Sequence, residues 1–245
     1  MRGRLLRRSE LSSRDEHLMY ALFRKHFEGI SREQFRSDLD QKNWVVLLDG
    51  EEEGALEGFT SIHFYDTRHG GAPLSIVYSG DTIVDRAAWG RSALAPIWIG
   101  AINHLHRAYG KGRLYWFLLV SGYRTYRYLP IFWRASYPRH DVPAPPEIQG
   151  LIDFLAGERF GSLYHRDEGV VRFPAPQILR QPLRGIPERR AADPHIAFFT
   201  HRNPGHERGD ELVCLTEISW ENLTAAGRRM WTEGERIFGT TERRP

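Results

Sequence analysis

Cysteine is almost absent from this chain: Cys214 is the only one among 245 residues. A single thiol forms no internal disulfide and cannot furnish a four-thiolate metal site. In its setting, LVCL, it reads as a small buried apolar residue rather than a nucleophile. Long hydrophobic runs are also missing. The best candidate, Ala93 to Ile102, leads into His104, His106 and Arg107 and falls well short of the ~20 apolar residues a membrane-spanning helix needs. The basic start MRGRLLRRSE has no apolar stretch behind it, which excludes a secretory signal, and the acidic residues that soon follow do not suit a mitochondrial presequence. A cytoplasmic location is expected. There is no internal repeat, no low-complexity segment and no pattern that reads nucleic acid. Charge of one sign is not in large excess: 34 Lys and Arg stand against 31 Asp and Glu, a formal net charge of +3. The arginine clusters at the two ends (Arg2 to Arg8, Arg243 and Arg244) read as solvated tails with a weak preference for anionic partners.

What is present is ordinary globular material, with 41% apolar and 27% charged residues. Leu18, Leu22, Phe23 and Phe27 have helical spacing after Ser12 and Ser13, either of which can cap, and Ser31 opens a second helix to about Leu39. Trp44 to Leu48 and Leu56 to Tyr65, joined by DGEEEG, predict a β-hairpin, and Leu74 to Val84 a third strand. A helix follows over Ser92 to Tyr109, with Pro96 in its first turn. Arg113 to Val120 is apolar on both faces, which suits a central strand. Tyr123 to Ser136 has helical character interrupted by Pro130, and Pro138 to Pro146 is a break. Beyond it the pattern predicts a helix over Pro146 to Phe160, a short strand at Gly169 to Phe173, and a proline-rich surface loop to Pro194. Strands are expected at Ile196 to Thr200 and Glu211 to Ile218, and a final helix over Glu221 to Ile237.

Three features carry chemistry. The segment from Leu74 to Ala108 passes from a β-branched strand through the loop DRAAWGRS into a long helix. The free N–H groups and positive dipole end of a helix start favour phosphate. Trp89 is unusual in such a loop and suits either stacking on a ligand or covering the sheet edge. Asp81 sits inside that strand, in YSGDTIV, where a carboxylate is costly unless it faces a cavity or has partners. Plain strand alternation puts Asp81 and Ile83 on one side and Tyr78, Gly80 and Thr82 on the other. His63 on the second hairpin strand is positioned to face the same cleft, or to serve as a structural histidine. His104 and His106, two apart on a helix, share no face, and the segment from His201 to Cys214 matches no metal spacing, so no metal is expected. Arg124 and Arg127 stand near the tyrosines of GYRTYRYLP and are read as a solvated face or as anion ligands.

The order of two helices, a three-strand antiparallel run, a phosphate-facing loop and helix, a buried strand and a tyrosine-rich helix resembles the GCN5-related N-acetyltransferase superfamily over residues 10–138. The resemblance implies an α/β (α+β) fold: a mixed, mostly antiparallel sheet flanked by helices. Residues 139–245 would form a carboxy-terminal extension completing the sheet or an acceptor pocket within one compact domain. It implies that an acyl-pantetheine arm lies between splayed strands, here Tyr78 to Val84 and Tyr115 to Val120. The family's loop pattern is Gln/Arg-x-x-Gly-x-Gly/Ala. With Gly90 on its first glycine, Ala87 takes the Gln/Arg position, Ser92 the second glycine, and Arg86 falls one residue early. The implied donor-binding set is Ile83, Val84, Arg86, Trp89, Gly90, Arg91, Ser92 and Ala93. The implied general base is Asp81, with His63 a further candidate, and the implied general acid is Tyr126, preferred because it lies early in the helix one turn from Tyr123, or else Tyr128. The implied activity is transfer of an acyl group from acyl-CoA to the amine of a small molecule. The loop's departure leaves room for an acyl-phosphopantetheine donor on a carrier protein, as in N-acyl amino acid or acyl-homoserine-lactone synthases. A member of the fold that binds without catalysis is a third reading. No nucleic acid and no membrane span is expected.

Overall fold

The arginine-rich start of the chain is a strand rather than a solvated tail. In the computed structural model, which describes residues 2–52, 54–89 and 94–238, β1 (Arg2–Arg7) pairs antiparallel with β3 (Trp44–Asp49). The arginines are held there by partners far away in sequence. Arg4 is bonded to Asp49 at 2.8 Å and Asp15 at 3.1 Å, and Arg8 to Glu16 at 2.8 Å and Asp40 at 2.7 Å. The Arg7 guanidinium lies 4.5 Å over the Trp44 ring and donates to the Tyr109 hydroxyl at 2.9 Å. Long-range partners of this kind leave no local trace in sequence.

The remaining elements follow in chain order. They are α1 (Ser13–His26), β2 (Phe27–Glu28), α2 (Arg32–Asp40), β4 (Leu56–His69), β5 (Ala72–Val84), α3 (Leu94–Tyr109), β6 (Arg113–Val120) and α4 (Tyr123–Phe132). Then come β7 (Ser136–Tyr137), α5 (Pro146–Phe160), β8 (Tyr164–His165), β9 (Val170–Val171), β10 (Ile178–Leu179), α6 (Glu188–Ala191), α7 (Pro194–Arg202), β11 (Glu211–Glu217) and α8 (Ala225–Phe238). The fold is mixed α/β, with a mostly antiparallel sheet. Two compact units contain these elements, one of residues 1–25, 31–114 and 225–245, the other of residues 26–30 and 115–224.

In the first unit, β1, β3, β4 and β5 lie side by side in that order. Ser12 caps α1 by accepting from the Asp15 N–H at 3.0 Å, and Ser31 caps α2 through the Gln34 N–H at 3.1 Å. These helices cover one sheet face: Phe35 packs on Phe23 at 5.5 Å between ring centroids and meets Phe59 of β4 edge-on at 6.3 Å. On the other face lies α3, whose Ile97 side chain fills the space beside Gly3 of β1. Helix α8 packs on α3 through a glycine crossing. A Cβ on Gly100 would come 2.5 Å from the Gly234 carbonyl oxygen, and one on Gly234 2.5 Å from that of Pro96.

In the second unit, β6 pairs with β11, which also pairs with β7 and β9, and β8 extends from β9. Four expectations change after β6. Ile196 to Thr200 is helical, not extended. Asp193 caps α7 by accepting from His195 N–H at 3.0 Å and Pro194 takes the first helical position, so Ile196 and Phe199 fall on one buried face. Helix α4 ends at Phe132, and Ser136–Tyr137 form β7 instead of a last turn. The final helix begins at Ala225 rather than Glu221, because Asn222 is engaged elsewhere. The proline-rich loop carries β10, which pairs with β2, and the single turn α6.

Candidate active site

Strand β5 does not run with plain alternation. Thr60 of β4 faces Thr82, but Ile62 faces Ser79, so Ser61 alone opposes both Gly80 and Asp81. This is a β-bulge, in which one residue is left out of the ladder and the strand is re-aimed. The expected sidedness is therefore corrected. Ile83, paired with Phe59, returns to the face that Tyr78 occupies opposite His63, and Thr82 turns to the other face, its hydroxyl 2.8 Å from that of Thr60.

The glycine at the bulge is dictated by packing. A Cβ on Gly80 would stand 2.5 Å from the Ser61 hydroxyl and 2.6 Å from Cε of Lys42. Lys42, just beyond α2, donates to the Asp38 carbonyl at 3.0 Å and lays its ammonium 5.3 Å from the centre of the Tyr78 ring. On the same face His63 stacks on Tyr65, with centroids 4.6 Å apart and planes 24° from parallel. Asp81, His63 and Tyr65 are half-buried, whereas Tyr78, Ser61 and Lys42 are buried. Part of the expected set thus gathers on one strand pair: His63 on β4 and Asp81 at the bulge of β5.

The end of β5 turns tightly. The Asp85 N–H donates to the Glu57 carbonyl at 2.7 Å, and the Asp85 carboxylate accepts from the Ala87 N–H at 3.1 Å and from Lys25 at 2.8 Å. Trp89 is pinned to this turn, its indole N–H donating to the Val84 carbonyl at 2.9 Å. Its ring remains 44% exposed, with the Arg86 guanidinium 5.8 Å from its centre. Of the expected donor-binding residues, Arg86 and Trp89 are exposed and Val84 half-buried, while the Ile83 side chain is core and can offer a ligand only its backbone. Gly90, Arg91, Ser92 and Ala93 lie outside the described residues.

The tyrosine helix α4 belongs to the second unit. Tyr126 is 2% exposed, packs on Phe199 at 5.5 Å and Phe198 at 6.3 Å, and donates its hydroxyl to the Pro138 carbonyl at 2.8 Å. Burial, and behind it the neighbouring Cys214, pushes its phenol well above the ordinary range. A hydroxyl so committed is a core feature, which removes the reason for preferring Tyr126 over Tyr128, whose ring is 39% exposed. Arg124 donates to the Leu183 carbonyl at 2.8 Å and Arg127 pairs with Asp193 at 3.3 Å, so both tie the unit together. His206 is buried against the Phe199 ring, and Asp210 is bonded to Arg172 at 2.8 Å. Among the described residues no group of three or more His, Cys, Asp or Glu is placed to hold a metal, and no helix is long and apolar enough to cross a membrane.

No family model matches the sequence, and no curated protein is similar to it. Several solved structures are. An aminoglycoside acetyltransferase from an uncultured soil metagenomic sample, in complex with sisomicin, is 20% identical over 47% of this chain and 75% of its own, with a TM-score of 0.34. An acyl-CoA N-acyltransferase from Pseudomonas aeruginosa is 16% identical over 47% and 77%, with a TM-score of 0.34. An acetyltransferase from Trypanosoma brucei is 18% identical over 46% and 80%, with a TM-score of 0.33.

Sequence reasoning passed over Lys42, Ser61, Tyr65 and the bulge. A signal for the bulge existed, since a glycine inside a strand marks either a bulge or a close approach, and Gly80 is both. Nothing in QKNW announces that Lys42 would reach it.

Proposed function

We propose that this chain is an acyltransferase that moves an acyl group from a thioester, acyl-CoA, to the amine of a small molecule. The observation that carries this is the bulge at Gly80 and Asp81, in the strand whose end turns through Asp85 to an exposed Arg86 and Trp89. A bulge disrupts the ladder locally and re-aims the strand, and a backbone N–H aimed at the donor polarises a thioester carbonyl. Asp81 takes the proton from the incoming ammonium. The amine nitrogen then attacks the thioester carbon, the new C–N bond forms, the C–S bond breaks, and the departing thiolate takes up the second proton that the nitrogen sheds. Holding donor and acceptor side by side removes much of the encounter entropy. His63 stacked on Tyr65 and the buried Tyr78 give the acceptor side of this sheet face an aromatic wall, which suits a small molecule. For the donor, Arg86 and Trp89 supply a cation and a ring face for a nucleotide diphosphate.

Thermal denaturation in the presence of acyl-CoA species and of an acylated carrier protein tests the donor. A ligand of the folded state at 100 times its Kd stabilises by about 2.7 kcal/mol and raises the midpoint. A rise with acyl-CoA is expected. A rise with the acylated carrier protein alone replaces the donor, and no rise with either removes the proposal.

A further inference from the structure

The bulge of β5 is built on the residue with the least conformational restraint. The pairs on either side, Thr60 with Thr82 and Ile62 with Ser79, require that Gly80 and Asp81 both stand opposite Ser61. They do not determine how the peptide between those two residues is turned. Glycine has the widest backbone choice of any residue. A carboxylate that directly follows one is aimed only as well as the surroundings hold the glycine.

Lys42 supplies that hold. It is only 9% exposed and lays its stem against Gly80, where a Cβ would meet its Cε at 2.6 Å and its Nζ at 3.2 Å. The lysine thus occupies the space that a side chain at position 80 would take, and the Ser61 hydroxyl, 2.5 Å from the same point, closes it further. Ordering so long a side chain costs rotamer freedom. Two interactions at its tip offset that cost. The ammonium donates at 3.0 Å to the Asp38 carbonyl, in the last turn of α2, where the helix dipole favours a cation. It also lies 5.3 Å from the centre of the ring of Tyr78, two residues before Gly80. Lys42 therefore ties the end of α2 to β5 at the bulge itself.

We propose that Lys42 is a positioning residue: its stem confines Gly80 to one conformation and so keeps the Asp81 carboxylate aimed at the acceptor amine. This role rests on the one proposed for Asp81. Lys42 exchanges no proton with the substrate and acts only through the backbone of the bulge. A misplacement of ~1 Å at a reacting group costs up to ~10²-fold in rate, so a loosened glycine is felt in kcat.

Two substitutions in the full chain, read in two ways, test this. Lys42→Ala removes the stem, whereas Lys42→Met keeps a carbon at the position of Cε and loses the ammonium. With acyl-CoA and a small amine, Lys42→Ala is expected to lower kcat by ~10–10²-fold and to leave KM within about twofold, and Lys42→Met to recover most of that loss. The second reading needs no turnover. In the isotope-labelled chain the backbone amide resonances of Gly80 and Asp81 should be single and sharp in the unaltered protein and in Lys42→Met. They should broaden or double in Lys42→Ala, while the amides of α1 stay in place and show that the chain is folded. If the alanine variant does not fold, Lys42→Ser makes the same truncation and leaves a hydroxyl near the Asp38 carbonyl. An unaltered kcat in the truncated chain, sharp Gly80 and Asp81 amides in it, or a methionine variant as impaired as the alanine one overturns the proposal. An unaltered chain that transfers no acyl group removes the role of Asp81, and the amide spectra then decide by themselves whether Lys42 holds Gly80.

Discussion

A phenol in a protein core needs an acceptor, and Tyr126 has found one in the Pro138 carbonyl. Tyr126→Phe removes that bond and nothing else of comparable size. A loss of about 1 kcal/mol is expected, read as a lower urea midpoint at unchanged slope. Per folded molecule, acyl transfer should be unaffected. A Tyr126→Phe chain of full stability and no turnover would show that this hydroxyl acts in the chemistry and not in the core. At this scale sequence showed which residues were out of place but not why. Asp81 was legible as a misfit in a β-branched strand. Its sidedness was not, because a bulge adds one residue to the count and flips everything after it. Lys42 was invisible because its reach to Gly80 joins residues from different elements.

Helices α3 and α8 illustrate how elements depend on a single missing side chain. Gly100 and Gly234 bring the two backbones into contact, leaving no room for a Cβ on either. Gly100→Leu must separate the helices, and a loss of roughly 1–3 kcal/mol or more is expected from overpacking. The midpoint of thermal unfolding should fall by several degrees, and an unchanged midpoint would show that the crossing is loose. Elements with local signals were readable: the Ser12 and Ser31 caps, the hairpin of β3 and β4, and α3 with its apolar face. Two kinds were not. The Ile196 to Thr200 segment has a β-rich composition, and only the Asp193-Pro194 start outweighs it. The basic amino terminus looks solvated until Asp15, Asp40 and Asp49 come to meet it.

For the whole molecule, protons are the simplest probe. Burial pushes the imidazoles of His195 and His206 down, so at mildly acidic pH the unfolded chain takes protons that the folded one refuses. Their stabilisation is present above about pH 6.5 and erodes below it. Three carboxyls act lower. Arg139 holds Asp141 at about 2. Arg172 lowers Glu168, and hydrogen bonds from Ser12 and Arg4 lower Asp15 in spite of its burial. Their contribution is present above the ordinary carboxyl range and is lost as pH falls through about 4 towards 2. Calorimetric midpoints should therefore decline in two stages from about pH 8 to about pH 3, with no gain in stability on acidification. A midpoint that rose between about pH 7 and 5 would contradict the sign for the histidines.

The direct test of the chemistry is turnover. The chain is incubated with acyl-CoA and a panel of small amines, and the acylated product is followed by mass together with free CoA. Production of both in equal amounts by the unaltered chain is expected, with a loss of ~10²–10⁴-fold on Asp81→Asn in a protein that still folds. Turnover by Asp81→Asn at the unaltered rate, or no product from any donor and amine, would contradict the assignment of acyl transfer to the β5 bulge.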